Sequence, residues 1–358
     1  MNLTLLIPTK NRADFLIRLL AYYRDQGFQG QICIGDSSEA AVVEQTRRAI
    51  AGFQNKLNIV YKEYYDLNSA TCLLRLLDHV VTPYAALLPD DDFLIPNGLQ
   101  QCIAFLEEHS DYSAAHGVGA LVQLQSDGAY GPVLGASYYR QPNNEEDAAP
   151  DRLLHHLSNY GVSLFSVHRT ECWKLMYQGV DTLSDTTFAA ELLPCCLSAV
   201  LGKIKELDCL YLVRQVHEQR YLLPDKYDWI TSEGWLPSYQ KFRDRLVEEL
   251  TRQSEISVNA AGEVVKQAFW TYLAGALSQK WSDRYTSPRP GLRQASRRIP
   301  GIRTAWHTLR PLLQRKQGDL SLLRLLGASR YHRDFMPVYR ALTGSPDEID
   351  QPQPAMKQ

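Results

Sequence analysis

The chain of 358 residues has no apolar run near the ~18 residues that a membrane-crossing helix needs. Its best stretches, Leu192 to Leu201 and Val80 to Leu88, are broken by Pro194 and Pro83. No C-x-x-C pair occurs among the seven cysteines, which excludes the usual zinc and dithiol redox motifs. That odd number of cysteines, mostly set in apolar segments, reads as buried free thiols of a reducing cytosol. The short apolar run Leu3 to Ile7 has no basic start and no small-residue cleavage site, so it reads as a strand and not as a leader. No Gly-rich phosphate loop follows it, which argues against a nucleotidyltransferase.

What is present is ordinary globular composition, 45% hydrophobic and 22% charged, in a length that suggests about two domains. Charge is unevenly placed. Between Lys280 and Arg333 thirteen Lys and Arg stand against Asp283 and Asp319, a net +11 inside a chain of net −2, so the rest carries −13. Leu292, Ile299, Ile302, Trp306, Leu309, Leu312 and Leu313 interleave with that charge, as in basic amphipathic helices. Three readings follow: an anionic membrane surface met by 280–333, internal packing or oligomer contact with the acidic remainder, or a nucleic-acid patch. The last has no accompanying nucleic-acid motif and is set aside.

Up to about residue 110, short apolar runs alternate with helical stripes, the pattern of a parallel α/β sheet. Strands are expected at Leu3–Ile7, Gln31–Gly35, Leu57–Lys62 and Tyr84–Leu88. Helices are expected around Phe15–Tyr23, Val42–Ile50, Ser69–Val80 and Leu99–Glu108. Beyond them, Ala114–Leu124 and Ser163–His168 read as strands, and Gln141–Pro150 as a mobile polar lid or acceptor loop. Thr186–Leu201 reads as a helix despite Pro194, Lys203–Leu207 and Leu210–Arg214 as two short strands, and the chain beyond Trp229 as mostly helical.

The strongest local signal is Pro89-Asp90-Asp91-Asp92-Phe93 at the end of the fourth strand. Adjacent carboxylates repel, so at the carboxyl edge of a parallel sheet they suggest a bound cation, and Mg²⁺ or Mn²⁺ bridging to a diphosphate suits oxygen ligands. A solvated acidic turn capping the helix after Pro96 is the plainer alternative. The first strand ends in Pro8-Thr9-Lys10-Asn11-Arg12 at a helix start, where backbone N–H groups and cations would meet an anion. The second ends in Gly35-Asp36-Ser37-Ser38, suited to ribose or base edges.

Together these residues resemble the GT-A family 2 glycosyltransferases over roughly residues 2 to 220. The resemblance implies a GT-A-like, Rossmann-like α/β fold over 1–220, a mixed sheet flanked by helices; beyond it, the helical and charge patterning reads as a helical basic C-terminal region over 221–343, and the Pro/Gln composition as a disordered tail over 344–358. The resemblance implies that Pro8, Thr9, Asn11, Arg12, Asp36 and Arg75 hold a nucleotide-sugar together with Asp90 and Asp91. Asp90, Asp91, Asp92 and His217 are then expected around Mn²⁺ or Mg²⁺. Two departures stand out: the family's first motif aspartate falls on Pro89, and one acid is missing beside Asp36.

Sugar transfer needs a base for the acceptor hydroxyl. Asp185 before Thr186-Thr187 is the candidate, with Glu191 in reserve, although an Asp there is also a good helix cap. Arg214 and Arg220 flank His217 and could neutralise phosphate. Tyr138, Tyr139, Tyr160, Trp229 and Trp235 could stack on sugars, but such residues are more often core.

The resemblance thus implies an inverting, metal-dependent glycosyltransferase of bacterial polysaccharide or glycoconjugate synthesis. Its donor would be a UDP-sugar, its acceptor a glycan or lipid-linked hydroxyl, and its place the cytoplasm or the inner face of the cell membrane. The alternative is a non-catalytic nucleotide-sugar-binding scaffold in a glycan assembly complex.

Overall fold

The computed structural model describes residues 1–218, 224–285 and 318–344, with side chains only to 278 in the second span. Strands β1 (Leu3–Thr9), β2 (Gln31–Asp36), β3 (Asn58–Glu63) and β4 (Tyr84–Leu87) form a continuous parallel run in a nine-stranded mixed sheet. Its order is β3-β2-β1-β4-β8-β6-β9-β5, with β7 paired to β6. The central strands β1 and β2 are buried along nearly their whole length, which is why they read as continuous apolar runs, whereas the edge strand β3 is only half covered.

Helix α1 (Ala13–Asp25) buries the expected stripe Phe15, Leu16, Leu19, Leu20 and Tyr23, and Gly27 follows it at φ +59°. Helix α2 spans Ala40–Ala51. Helix α3 (Ser69–Leu77) starts where the Asn68 side chain accepts from Thr71 N at 3.0 Å, and α4 (Pro96–Glu108) has Pro96 in its first turn. Gly98 of α4 lies so close to the sheet that a Cβ there would sit 2.5 Å from the Leu210 carbonyl oxygen. Gly98→Ala is therefore expected to cost about 2 kcal/mol, read as a lowered denaturant midpoint with unchanged slope.

The second half departs from expectation in several places. The antiparallel strand β7 (Val133–Tyr139) pairs with the long β6 (Tyr112–Leu124). Only Val167–Arg169 of the stretch 163–168 and its neighbour is a strand, β8. Helices α5 (Ala149–Ser158) and α6 (Thr170–Tyr177) form where no helix was expected. The polar stretch 141–148 is stapled down: Asn144 bridges Ile204 through both backbone groups, and buried Arg152 donates to the Glu146 carbonyl. The two expected short strands are one, β9 (Lys203–Val216), irregular opposite His116 and Val118. Its last residues pair with the two-residue β5 (Phe93–Leu94).

Thr186–Leu201 is interrupted at the expected proline. A π-helical turn, Phe188–Leu192, precedes helix α7 (Leu193–Leu201). Pro194 has no N–H to give the Ala190 carbonyl, and the wider turn accommodates this while the Tyr177 hydroxyl reaches Ala190 O at 3.5 Å.

Helices α8 (Lys226–Ile230), α9 (Trp235–Gln253) and α10 (Val258–Tyr285) follow, α9 packing on α7 and α10 on α5. Two further helices, α11 (Leu322–Leu325) and α12 (His332–Thr343), return to the sheet, burying Leu325, Phe335, Val338 and Leu342 in the same core. Of the basic stretch, Arg324 pairs with Asp319 and Arg330 with Asp208. Most of that stretch, with Arg220 and the tail beyond Gly344, lies outside the described residues. No described helix is long and apolar enough to cross a membrane.

Candidate functional site

The parallel strands β1, β2 and β4 end together, and the first-strand loop meets the aspartate triplet there. Thr9 Oγ1 donates to Asp90 Oδ2 at 2.7 Å, and Arg12 Nη1 donates to Asp90 Oδ1 and Asp91 Oδ2, both at 3.0 Å. Between them Asn11 adopts φ +57°, its N–H donating to Ser38 Oγ and its Oδ1 accepting from Glu39 N. Pro8 pairs in register with Gly35, so the β1 and β2 ends form one surface. Asp36 is buried, with Oδ1 accepting from Ser38 N and Oδ2 from the Tyr61 hydroxyl at 2.8 Å. Arg75 is exposed on α3 and bonds none of these groups.

From the other side comes the end of β9. Arg214 Nε donates to Asp92 Oδ2 at 2.7 Å, Gln215 N donates to Asp92 Oδ1, and His217 Nε2 lies 2.8 Å from Asp91 Oδ2. His217 stacks on Phe15 at 4.9 Å, which fixes its ring plane. Arg214 lies over Phe165 at 4.4 Å and Tyr139 at 5.0 Å. Arg18, 1% exposed, spans the site from below: its guanidinium donates to the Asp91 carbonyl and to Gln215 Oε1.

The three carboxyls are electrostatically unequal. Burial, and repulsion from Asp91, raise Asp90 and Asp92 above the usual carboxylate range despite Arg12 and Arg214. Asp91 is equally buried, but the His217 bond and the Arg12 charge hold it below that range. The central aspartate is thus the carboxyl whose ionised form its surroundings favour most.

Each oxygen of Asp90 accepts one hydrogen bond, from Thr9 or Arg12, and each of Asp92 one, from Arg214 or Gln215, so a metal at either would share its oxygen with a protein donor. Two protein cations, Arg12 from the loop after β1 and Arg214 from β9, already lie against the triplet. Asp91 Oδ2 accepts from Arg12 and lies 2.8 Å from His217 Nε2, so Oδ1 is the triplet oxygen without a hydrogen bond among the described residues. It suits Mn²⁺ or Mg²⁺, with His217 joining it if its bond to Oδ2 opens and diphosphate and water completing the shell. Among the described residues no three His, Cys, Asp or Glu side chains form a larger cage.

The two candidate bases also separate. Asp185 Oδ1 accepts from Phe188 N at 3.0 Å, and Oδ2 accepts from the Trp229 indole at 2.8 Å. Both its oxygens therefore hold the entry to the π turn. Glu191 lies within that turn, where Oε1 accepts from the Tyr160 hydroxyl at 2.8 Å and the charges of Lys226 and Arg214 reach it. Since Arg214 is the partner of Asp92, Glu191 is electrically joined to the triplet.

No protein-family model matches the chain, and no curated protein matches it significantly. Among solved structures, S. aureus TarS 1–349 is similar at 14% identity over 76% of this chain and 72% of that one, with a TM-score of 0.48. The same fragment in complex with UDP, and with UDP-GlcNAc, is similar at 15% identity over 79% and 92% of the two chains, with TM-scores of 0.42. At these values the functional reading rests on the site itself.

Arg18, Tyr61 and Gln215 were not anticipated as site residues. An arginine between Phe15 and Leu19 on an apolar helix was the available signal for the first. Nothing in the sequence marked the other two.

Proposed function

We propose that the chain is a GT-A-type glycosyltransferase that moves a sugar from a UDP-sugar to a hydroxyl in a single, inverting displacement. The observation that supports it most is the convergence of the β1 loop and the end of β9 on the triplet, where Asp91 Oδ2 meets both Arg12 and His217 at the edge of a parallel sheet. On this reading the Asn11 loop and Asp36 bind the nucleoside, while Arg12 faces the diphosphate. A divalent ion held by Asp91 and His217 would supply charge neutralisation for the departing diphosphate.

Glu191 is the base. Its Oε2 has no partner among the described residues and is not sealed from solvent. The acceptor oxygen attacks the anomeric carbon, its proton passes to Oε2, and the bond from that carbon to the diphosphate oxygen breaks with its electron pair leaving on UDP. The acceptor is a glycan or lipid-linked hydroxyl, and the basic stretch 280–333 is the segment that would bring the enzyme to an anionic membrane.

Titration calorimetry with UDP, in Mn²⁺ and then in EDTA, tests the donor site. Binding is expected in Mn²⁺, at least tenfold weaker in EDTA, and equally weakened in Asp91→Asn with or without the metal. Absence of nucleotide binding under every condition would remove the reading. Binding without any turnover of UDP-sugars would favour the scaffold instead, a reading the arginine-paired triplet also supports.

A further inference from the structure

Glu191 is an acid whose charge bears on seven elements. Tyr160, from the segment after α5, bonds it, and Tyr177 of α6, Cys195 of α7 and Tyr272 of α10 lie within its field. So do Tyr139 of β7, Arg214 of β9 and Lys226 of α8. Four of these groups are phenols and two are cations, and among the described residues only Tyr160 makes a hydrogen bond to the carboxylate.

The Tyr160 ring is itself clamped, edge-on to Tyr272 at 4.9 Å and to His156 at 5.4 Å. Its hydroxyl therefore cannot swing away without disturbing both α5 and α10. Lys226 Nζ lies 4.8 Å from the Trp229 ring and 5.5 Å from that of Tyr272, buried and without a hydrogen-bond partner. It acts on Glu191 only through space.

We propose that Tyr160 is the positioning residue of this site: by donating to Oε1 it holds Glu191 in the π turn with Oε2 turned to the acceptor. The proposal rests on the glycosyltransferase reading. Burial raises Glu191 and the Tyr160 bond is the largest influence lowering it, with Lys226 and Arg214 adding to that. The bond thus offsets part of the penalty that burial imposes on a charged carboxylate. Through Tyr272 the same contact makes α10 part of the base's scaffold.

The test uses the full chain and a panel of UDP-sugars with water as acceptor, reading UDP release from pH 5 to 9. Water attacks the anomeric carbon, its proton goes to Glu191, and free sugar and UDP leave. In wild type the rate rises with pH on an acid limb. Tyr160→Phe keeps the ring and its two clamps but not the donor, so Glu191 gains protons more readily and the limb moves up by about one pH unit. The loss is then about tenfold on the limb at low pH and small on the plateau, with UDP affinity unchanged.

In a Glu191→Gln background Tyr160→Phe should change nothing further, because there is no proton acceptor left to tune. A limb that stays in place while the rate falls evenly at every pH, or an undiminished further loss in the Gln background, would overturn the proposal. No UDP binding and no UDP release by wild type would instead remove the transferase reading on which it rests, so the two failures are distinct. Thermal melts of both variants check that the fold is kept.

Discussion

Glu191→Gln is expected to lower UDP-sugar turnover by about 10²–10⁴-fold while leaving UDP affinity within a factor of two. The substitution is nearly isosteric, and the amide oxygen can still accept from the Tyr160 hydroxyl, so the π turn keeps its anchor. What is lost is the capacity to take a proton. Nucleotide binding is spared because Glu191 touches neither Asp91 nor His217 and reaches the triplet only through the field of Arg214. Asp185 provides the contrast. Asp185→Asn keeps one side-chain oxygen for Phe188 N and turns its NH2 toward the Trp229 indole N–H, so that one bond is lost at a cost of about 1 kcal/mol of stability while turnover should change by no more than a few-fold, whereas Asp185→Ala loses both bonds and should cost about 2 kcal/mol. If the Asn variant were inactive and the Gln variant active, the roles of the two acids would be reversed.

The parallel half of the sheet was legible because its signals are local. Continuous apolar runs mark buried central strands, and the stripes of α1 and α3 repeat at helical spacing. The site's outline was legible for the same reason, since Thr9, Arg12 and the triplet all sit at strand ends. How the carboxyls divide their partners was not. Arg214 and His217 lie more than a hundred residues from Asp92 and Asp91, and only the pairing of β9 with β5 and β6 brings them there.

The choice between Asp185 and Glu191 also depended on a non-local fact. A capping aspartate and a catalytic one look alike in sequence until the Trp229 indole is found on the second oxygen. Strand β7 escaped notice because Gly135-Ala136-Ser137 has weak strand propensity and its register is set by β6. The stretch 141–148 looks like a free loop by composition, yet its backbone groups are taken by Ile204 and its carbonyls by Arg152.

Arg214→Met is expected to be the most destabilising single change at the site. Asp92 is almost fully buried, and its remaining partner would be the Gln215 N–H alone. Removing one member of a buried pair costs about 3 kcal/mol here, the lower end of the usual span because a quarter (26%) of the Arg214 side chain reaches solvent. Methionine fills much of the space over Phe165 and Tyr139 and its sulfur contacts rings favourably, so lost packing is the smaller part.

The pH dependence separates these causes. Burial already raises Asp92, and without Arg214 the folded state binds this proton more tightly still than the unfolded chain does. Stability from this group is therefore fully present below about pH 4, the unfolded carboxyl's range, and is lost as pH rises through the raised folded value. The deficit of the Met variant, read from denaturant midpoints, should be larger at pH 8 than at pH 5. Adding Asp92→Asn should recover most of it, because an amide in that place needs no counter-charge and still accepts from Gln215 N. A double variant as unstable as the single one, with a deficit that does not change with pH, would place the loss in the aromatic contacts of Arg214 and not in the stranded carboxylate.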